Sequence, residues 1–217
     1  MSDSAMPTGI TEQAVTEFSR LSSMERLNSV ALALTRNGFQ AQAVETGAEA
    51  RQIVAALLPE GAEVFNNTSR TLESIGVADD IERSGHYEPL RLRLFQMDRE
   101  MQAREMRVLA ASPEYVVGSV HAVTEDGSLL IASASGSQLG PLVSGAAHVI
   151  LVIGGQKVVT DLDAGIRRIY EYSLQLEDQR AREAYGMPSG VNNILIMNKV
   201  VVPDRVWAIL VHETLGF

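Results

Sequence analysis

The stretch HVILVIGG, His148–Gly155, decides how the rest of this sequence is read. From Val149 to Ile153 every residue is apolar, with no polar residue between them. A strand with one wet face alternates polar and apolar side chains, so an unbroken run points to a strand buried on both faces. Such strands belong to sheets covered by helices, and the flanking sequence supplies the helices. Downstream, Asp161 can cap a helix with Ile166, Ile169, Tyr170 and Leu174 on its inner face. That helix frays through the charged LEDQRAREAYG before Pro188. NILIMN and WAILVHE then read as closing strands around a Pro203-Asp204 turn.

Upstream, YVVGSVHAVT and SLLIASA read as two strands about Asp126-Gly127, a strong hairpin signal. One long helix is predicted from Pro89, a favoured first helical residue, to the stop at Ser112-Pro113. Leu90, Leu94, Met97, Met101 and Val108 mark its inner face, and Arg91, Arg93, Arg99, Arg104 and Arg107 its solvated one. Earlier, Ser22 with Glu25 and Thr46 with Glu49 are capping-box signals, and Gly38 ends the first of these helices. FQAQAV and AEVF are short strands, and Leu72 with Ile75 suggests a small helix after the second. Helices thus alternate with apolar strands, and the class is α/β with a central sheet flanked by helices. Residues 1–38 read as an N-terminal helical appendage and residues 39–217 as the α/β domain.

The composition narrows the functions. The 217 residues carry a net charge of -9, which disfavours nucleic acid and anionic membranes as partners. There is no cysteine, which excludes disulfides and Cys-held zinc or iron–sulfur clusters in this chain. No apolar run reaches the ~20 residues of a membrane span, and the start, MSDSAMPTGITEQ, lacks the pattern of a signal peptide. The expectation is a cytoplasmic protein with a frayed N-terminus. No cofactor is indicated, since dinucleotide and P-loop fingerprints are missing, and no histidine pair has metal-ligand spacing.

Three segments fall where an α/β sheet binds ligands, beyond the carboxyl ends of strands. In the first, Asn67, Thr68 and Ser69 are either an anion-binding helix start or an ordinary cap with turn-forming asparagines. In the second, Glu125 flanks the hairpin turn, and Ser135, Gly136 and Ser137 follow the returning strand. This is either an exposed hairpin or the wall of a site with short donors and a carboxylate able to act as base or nucleophile. Strand parity puts His121 on the face of Glu125, as a second catalytic candidate or a packed histidine. In the third, Gly155 and Lys157 form either a solvated turn or an anion nest, with Asp161 near enough to pair with the lysine. The chain has only two lysines, Lys157 and Lys199, among 18 basic residues.

Taken in order, NTSRTLESIG, the Arg-rich helix, GSVHAVTEDGSLLIASASGSQLGP and HVILVIGGQKVVTDLDAGIRRI resemble the lactate-utilisation (LUD) domain family. The likeness runs from about Ala62 to Arg182 and extends to LVHETLGF. It rests chiefly on A-x-T-E-x-G followed by G-x-Q-K-x-V. Its pattern positions here are Thr68, Ser69, Glu125, Gly127, Gly136, Gly155 and Lys157. The resemblance implies a fold like that of ribose-phosphate isomerases, glucosamine-phosphate deaminases and CoA transferases. It also implies a role in oxidising L-lactate to pyruvate within a multi-component iron–sulfur system. Some members carry Cys-rich cluster segments; this chain resembles the short cluster-free component. The implied partners are a small carboxylate or phosphorylated molecule and an iron–sulfur subunit. A homodimer is the default oligomer. The alternative is a free-standing isomerase or acyl-transfer enzyme with Glu125 as base or nucleophile.

Overall fold

A computed structural model describes residues 9–217, and the fraying expected at the extreme N-terminus falls on residues 1–8, outside them. The apolar run forms strand β7 (His148–Gly154), seated between two parallel neighbours. Its sheet also contains β1 (Gln40–Val44), β2 (Glu63–Asn66), β3 (Glu88–Pro89), β4 (Tyr115–Gly118) and β10 (Val206–Val211). The six lie in the order β1-β10-β7-β4-β2-β3, and all pairings are parallel. Alternation along β7 sends Val149, Leu151 and Ile153 into one hydrophobic cluster and Ile150 and Val152 into another. Two apolar layers, one on each face, are why the run tolerates no polar residue.

A second sheet of four strands covers part of one face. It holds β5 (Ala122–Thr124), β6 (Leu129–Ser133), β8 (Val158–Val159) and β9 (Asn193–Met197), in the order β8-β5-β6-β9. The helices begin with α1 (Glu12–Phe18) and α2 (Met24–Arg36). Leu27, Val30 and Leu34 of α2 share the cluster of Leu151 with Val123, Leu129 and Ile131 of the second sheet. The expected boundary at residue 38 therefore needs correcting for α2. That helix is a structural layer of the domain, not an appendage to it. On the opposite face lie α3 (Gly47–Leu57), α4 (Arg70–Ser74) and α5 (Val77–Arg83), packed on Ile150 and Val152.

Several expected elements fall differently. The stretch YVVGSVHAVT divides: β4 stays in the parallel sheet, while β5 pairs antiparallel with β6 around Gly127. Residues 119–121 carry the chain from one sheet to the other. At the crossing, a Cβ on Gly118 would lie 2.7 Å from the side-chain amide of Asn67, which would have to shift to admit it. The two closing strands also part, β9 pairing with β6 and β10 lying between β1 and β7. The long helix is broken into α6 (Leu90–Gln96) and α7 (Ala103–Ala111). The Asp98 carboxylate between them accepts the N–H groups of Glu100 and Met101, a local turn that competes with helix. The cap of α2 is Ser23, one residue beyond the expected Ser22.

Helices α8 (Leu162–Arg168) and α9 (Leu174–Tyr185) are joined by a π-turn, Ile169–Ser173. The buried stripe keeps ordinary helical spacing through Gly165, Arg168, Ile169, Tyr172 and Ser173, one residue out of phase with the expected one. Tyr170, expected inside, is 45% exposed, whereas Arg168, Ile169, Tyr172 and Ser173 are buried.

Gly38 closes α2 with φ +88°, and a Cβ there would meet the Val200 carbonyl at 2.1 Å. The neighbouring Asn37 carbonyl accepts the Val200 N–H at 2.9 Å, fixing that approach. Gly38→Ala should destabilise by about 2 kcal/mol, from left-handed strain and the forced shift of Val200. Urea unfolding checks this.

Candidate functional site

The carboxyl ends of β2, β4 and β7 open onto a cavity of about 300 Å³, which the loop after β6 and the inner face of α9 close. This is where a parallel sheet presents loops to a ligand, and the volume suits a molecule of a few heavy atoms. Asn67, Thr68, Ser69, His121, Ser135, Ser137 and Lys157, read separately from the sequence, all line it.

Lys157 ends a short 3-10 turn after β7 and is 2% exposed. Its Nζ bonds Thr71 Oγ1 at 2.9 Å and Ser119 Oγ at 3.1 Å. The Thr71 hydroxyl donates its own hydrogen to the Leu215 carbonyl at 3.0 Å, so Nζ must donate to Thr71. Burial, then the charge of Arg168, pushes the lysine well below its ordinary pKa.

Arg168 is fully buried behind the cavity wall. It donates to the His121 carbonyl, to Ser173 Oγ at 2.9 Å and to the Phe18 carbonyl at 3.4 Å, and lies over the Tyr172 ring. Burial lowers its pKa to about 10, which still leaves it a cation at neutral pH. His121 accepts the Ala132 N–H on Nδ1 at 3.1 Å, so the neutral ring carries its proton on Nε2. Burial, Lys157 and Arg168 together lower its pKa to about 3. Three basic groups thus share one small volume, and among the described residues none forms a salt bridge with a carboxylate. The cavity's own glutamate, Glu177, is held by Arg180 at 2.7 Å.

Other expected positions play different parts. Glu125 does not line the cavity; it is exposed and paired with Arg26 of α2 at 2.9 Å. His121 and Glu125 do not share a site, because the chain turns at Thr124 and strand parity no longer holds. Asp161 caps α8 and bonds Thr160 without reaching Lys157. Gly155 is packed against Leu21 and gives its N–H to the Glu213 carbonyl at 3.0 Å, so it offers no anion nest. The Asn67 N–H is taken by the Val117 carbonyl at 2.9 Å, but its side-chain Oδ1 is buried with no partner among the described residues. Ser69 caps α4, and Ser135 and Ser137 bond each other at 2.9 Å around Gly136, whose φ is +77°.

Sequence reading missed Thr71, Ser119 and Arg168. Ser119 was hidden inside an apparent strand and Arg168 among helix charges. The usable signal for Arg168 was its place between Ile166 and Ile169 on an apolar stripe. Among the described residues no group of three or more His, Asp or Glu side chains is placed to hold a metal, and no helix is long and apolar enough to cross a membrane.

The family model described as LUD domain matches residues 27–211. A DUF162 family protein of solved structure from Deinococcus radiodurans is similar over 88% of this chain and 99% of its own. The two are 13% identical with a TM-score of 0.54, a likeness of fold. No curated protein matches the sequence.

Proposed function

The chain belongs to the LUD domain family, which is associated with lactate utilisation, and from that premise we propose that it is a cytoplasmic, cluster-free component that binds a small carboxylate in the oxidation of lactate to pyruvate. The observation that carries this reading is Lys157, a buried amine on a cavity wall whose only partners among the described residues are two hydroxyls. Burying a cationic group without a counter-charge is unfavourable by several kcal/mol, and an incoming carboxylate removes that penalty. A bound carboxylate would supply the counter-charge that Lys157 and the buried Arg168 behind it lack among the described residues. Asn67 and the cavity hydroxyls would orient the ligand's remaining oxygens. With no cysteine among these 217 residues, a Cys-held iron–sulfur cluster of the system would lie outside them.

Thermal unfolding with lactate, pyruvate and inorganic phosphate tests the reading. Ligand at a hundred times its Kd stabilises by about 2.7 kcal/mol, a rise in Tm of roughly 5 °C or more for a chain of this size. Glu125→Gln should leave that rise unchanged. No rise with any of these anions would end the anion-site reading, and lactate oxidation by the purified chain alone would end the accessory one.

A further inference from the structure

We propose that Lys157 is a nucleophilic amine that forms an imine with the carbonyl of an α-oxo acid held in this cavity. The inference rests on the small-carboxylate reading above and adds a covalent step to it.

The geometry supplies what such a step needs. The amine stands in the cavity wall, and its stem is fixed by burial, so the nitrogen keeps one position. Of the three basic groups there, the guanidinium of Arg168 is the one that keeps its charge, since arginine does not give up its proton. That fixed charge disfavours a second one on Lys157 beside it, and a lysine amine that gives up its proton is a nucleophile. Thr71 must accept from Nζ, as its hydrogen is committed to Leu215. A neutral amine has two hydrogens; donating them to Thr71 and Ser119 leaves the lone pair free to attack. Among the described residues no carboxylate is salt-bridged to Nζ to hold it as ammonium. His121, neutral with its proton on Nε2, and the hydroxyl of Ser119 are donors for the oxygen that develops.

The step balances without an added reagent. The Nζ lone pair bonds the carbonyl carbon, the carbonyl π pair moves to oxygen, and a proton passes from nitrogen to that oxygen. The carbinolamine then loses its hydroxyl as water, with one further proton, as the nitrogen pair closes the C=N bond. Nothing is oxidised or reduced. A 2-hydroxy acid has no carbonyl, so it binds without bonding, and the site distinguishes the oxo acid from its reduced form by chemistry rather than by size.

The test incubates the full-length protein with pyruvate and sodium cyanoborohydride, which reduces an imine to a stable secondary amine. Peptide mass mapping then locates the carboxyethyl group. Lys199, exposed and the only other lysine, is the internal control. The expected result is labelling at Lys157 at least about tenfold faster than at Lys199, none with lactate, and competition by lactate at Lys157 alone. Lys157→Met should abolish the fast phase and keep the slow one. Stabilisation by pyruvate without label at Lys157 would overturn the imine and leave the anion site standing. Absence of both stabilisation and label would overturn both. Equal labelling of the two lysines would overturn the imine as a property of the cavity.

Discussion

Lys157→Met is expected to raise the stability of the empty protein while erasing its response to small carboxylates. Methionine has nearly the shape of the lysine stem and fills irregular space well. Thr71 keeps its bond to the Leu215 carbonyl, and Ser119 needs only to rotate, so the substitution orphans little. What disappears is the work of stripping water from an amine with no counter-charge. Replacing buried ionisable groups with apolar ones of similar volume is commonly neutral or stabilising by about 1–4 kcal/mol. A gain near 1.5 kcal/mol would lift Tm by roughly 3–6 °C. The pH dependence gives a separate signature. The folded lysine holds its proton less tightly than the unfolded one, whose pKa is near the ordinary 10.5. Between the two values the unfolded state binds more protons, so wild-type stability rises with pH up to about 10.5 and the variant lacks this rise. Carboxylate affinity should fall about 10–100-fold, the worth of one charged hydrogen bond. Denaturation from pH 7 to pH 10 with calorimetric titration checks both halves. A variant less stable than wild type at pH 7 would make Lys157 a strut rather than a ligand group.

How much of this was legible in the sequence depends on what each residue's neighbours reveal. Strand β7 was legible because both its faces meet the same apolar medium, and the β5–β6 hairpin because Asp126-Gly127 specifies the turn by itself. The division of YVVGSVHAVT was not, since strand periodicity says nothing of which sheet a strand joins. The crossing at residues 119–121 follows Gly118, which lies close to Asn67, a contact between distant segments that periodicity cannot show. Lys157 stood out by rarity, one lysine of two in a chain that otherwise uses arginine. Its burial did not, because a Gly-Gly turn before it reads as surface. Arg168 was harder to read: the stripe expected from Ile166, Ile169, Tyr170 and Leu174 lies one residue out of phase with the buried Gly165, Arg168, Ile169, Tyr172 and Ser173, and an arginine on a helix reads as solvated. Glu125 illustrates the opposite error. A carboxylate beside a run of serines looked like part of a site, yet the turn aims it at Arg26.

His121 should set an acid limit on stability. Its folded pKa is about 3 against an ordinary 6.5, with burial the main cause and the two neighbouring cations next. Above pH 6.5 both states are neutral at this residue and it adds no pH dependence. Below that, the unfolded chain takes a proton that the folded protein refuses, so stability falls by about 1.4 kcal/mol per pH unit. Across the window down to pH 3 the loss is about 4 kcal/mol, a large part of the 5–15 kcal/mol that holds a typical domain together. Between pH 6.5 and 4.5, before most carboxylates titrate, wild type should lose about 2–3 kcal/mol. His121→Asn removes the titration and keeps an acceptor for the Ala132 N–H, because an asparagine Oδ1 can stand where Nδ1 stood. Its stability should be nearly flat over the same interval. The comparison is made by urea unfolding at closely spaced pH values. A bound carboxylate offers a counter-charge to the whole basic group, so saturating ligand should shallow the wild-type slope and leave the asparagine variant unaltered. Equal slopes for the two proteins without ligand would show that His121 accepts its proton normally, and that the cavity does not hold its basic groups neutral.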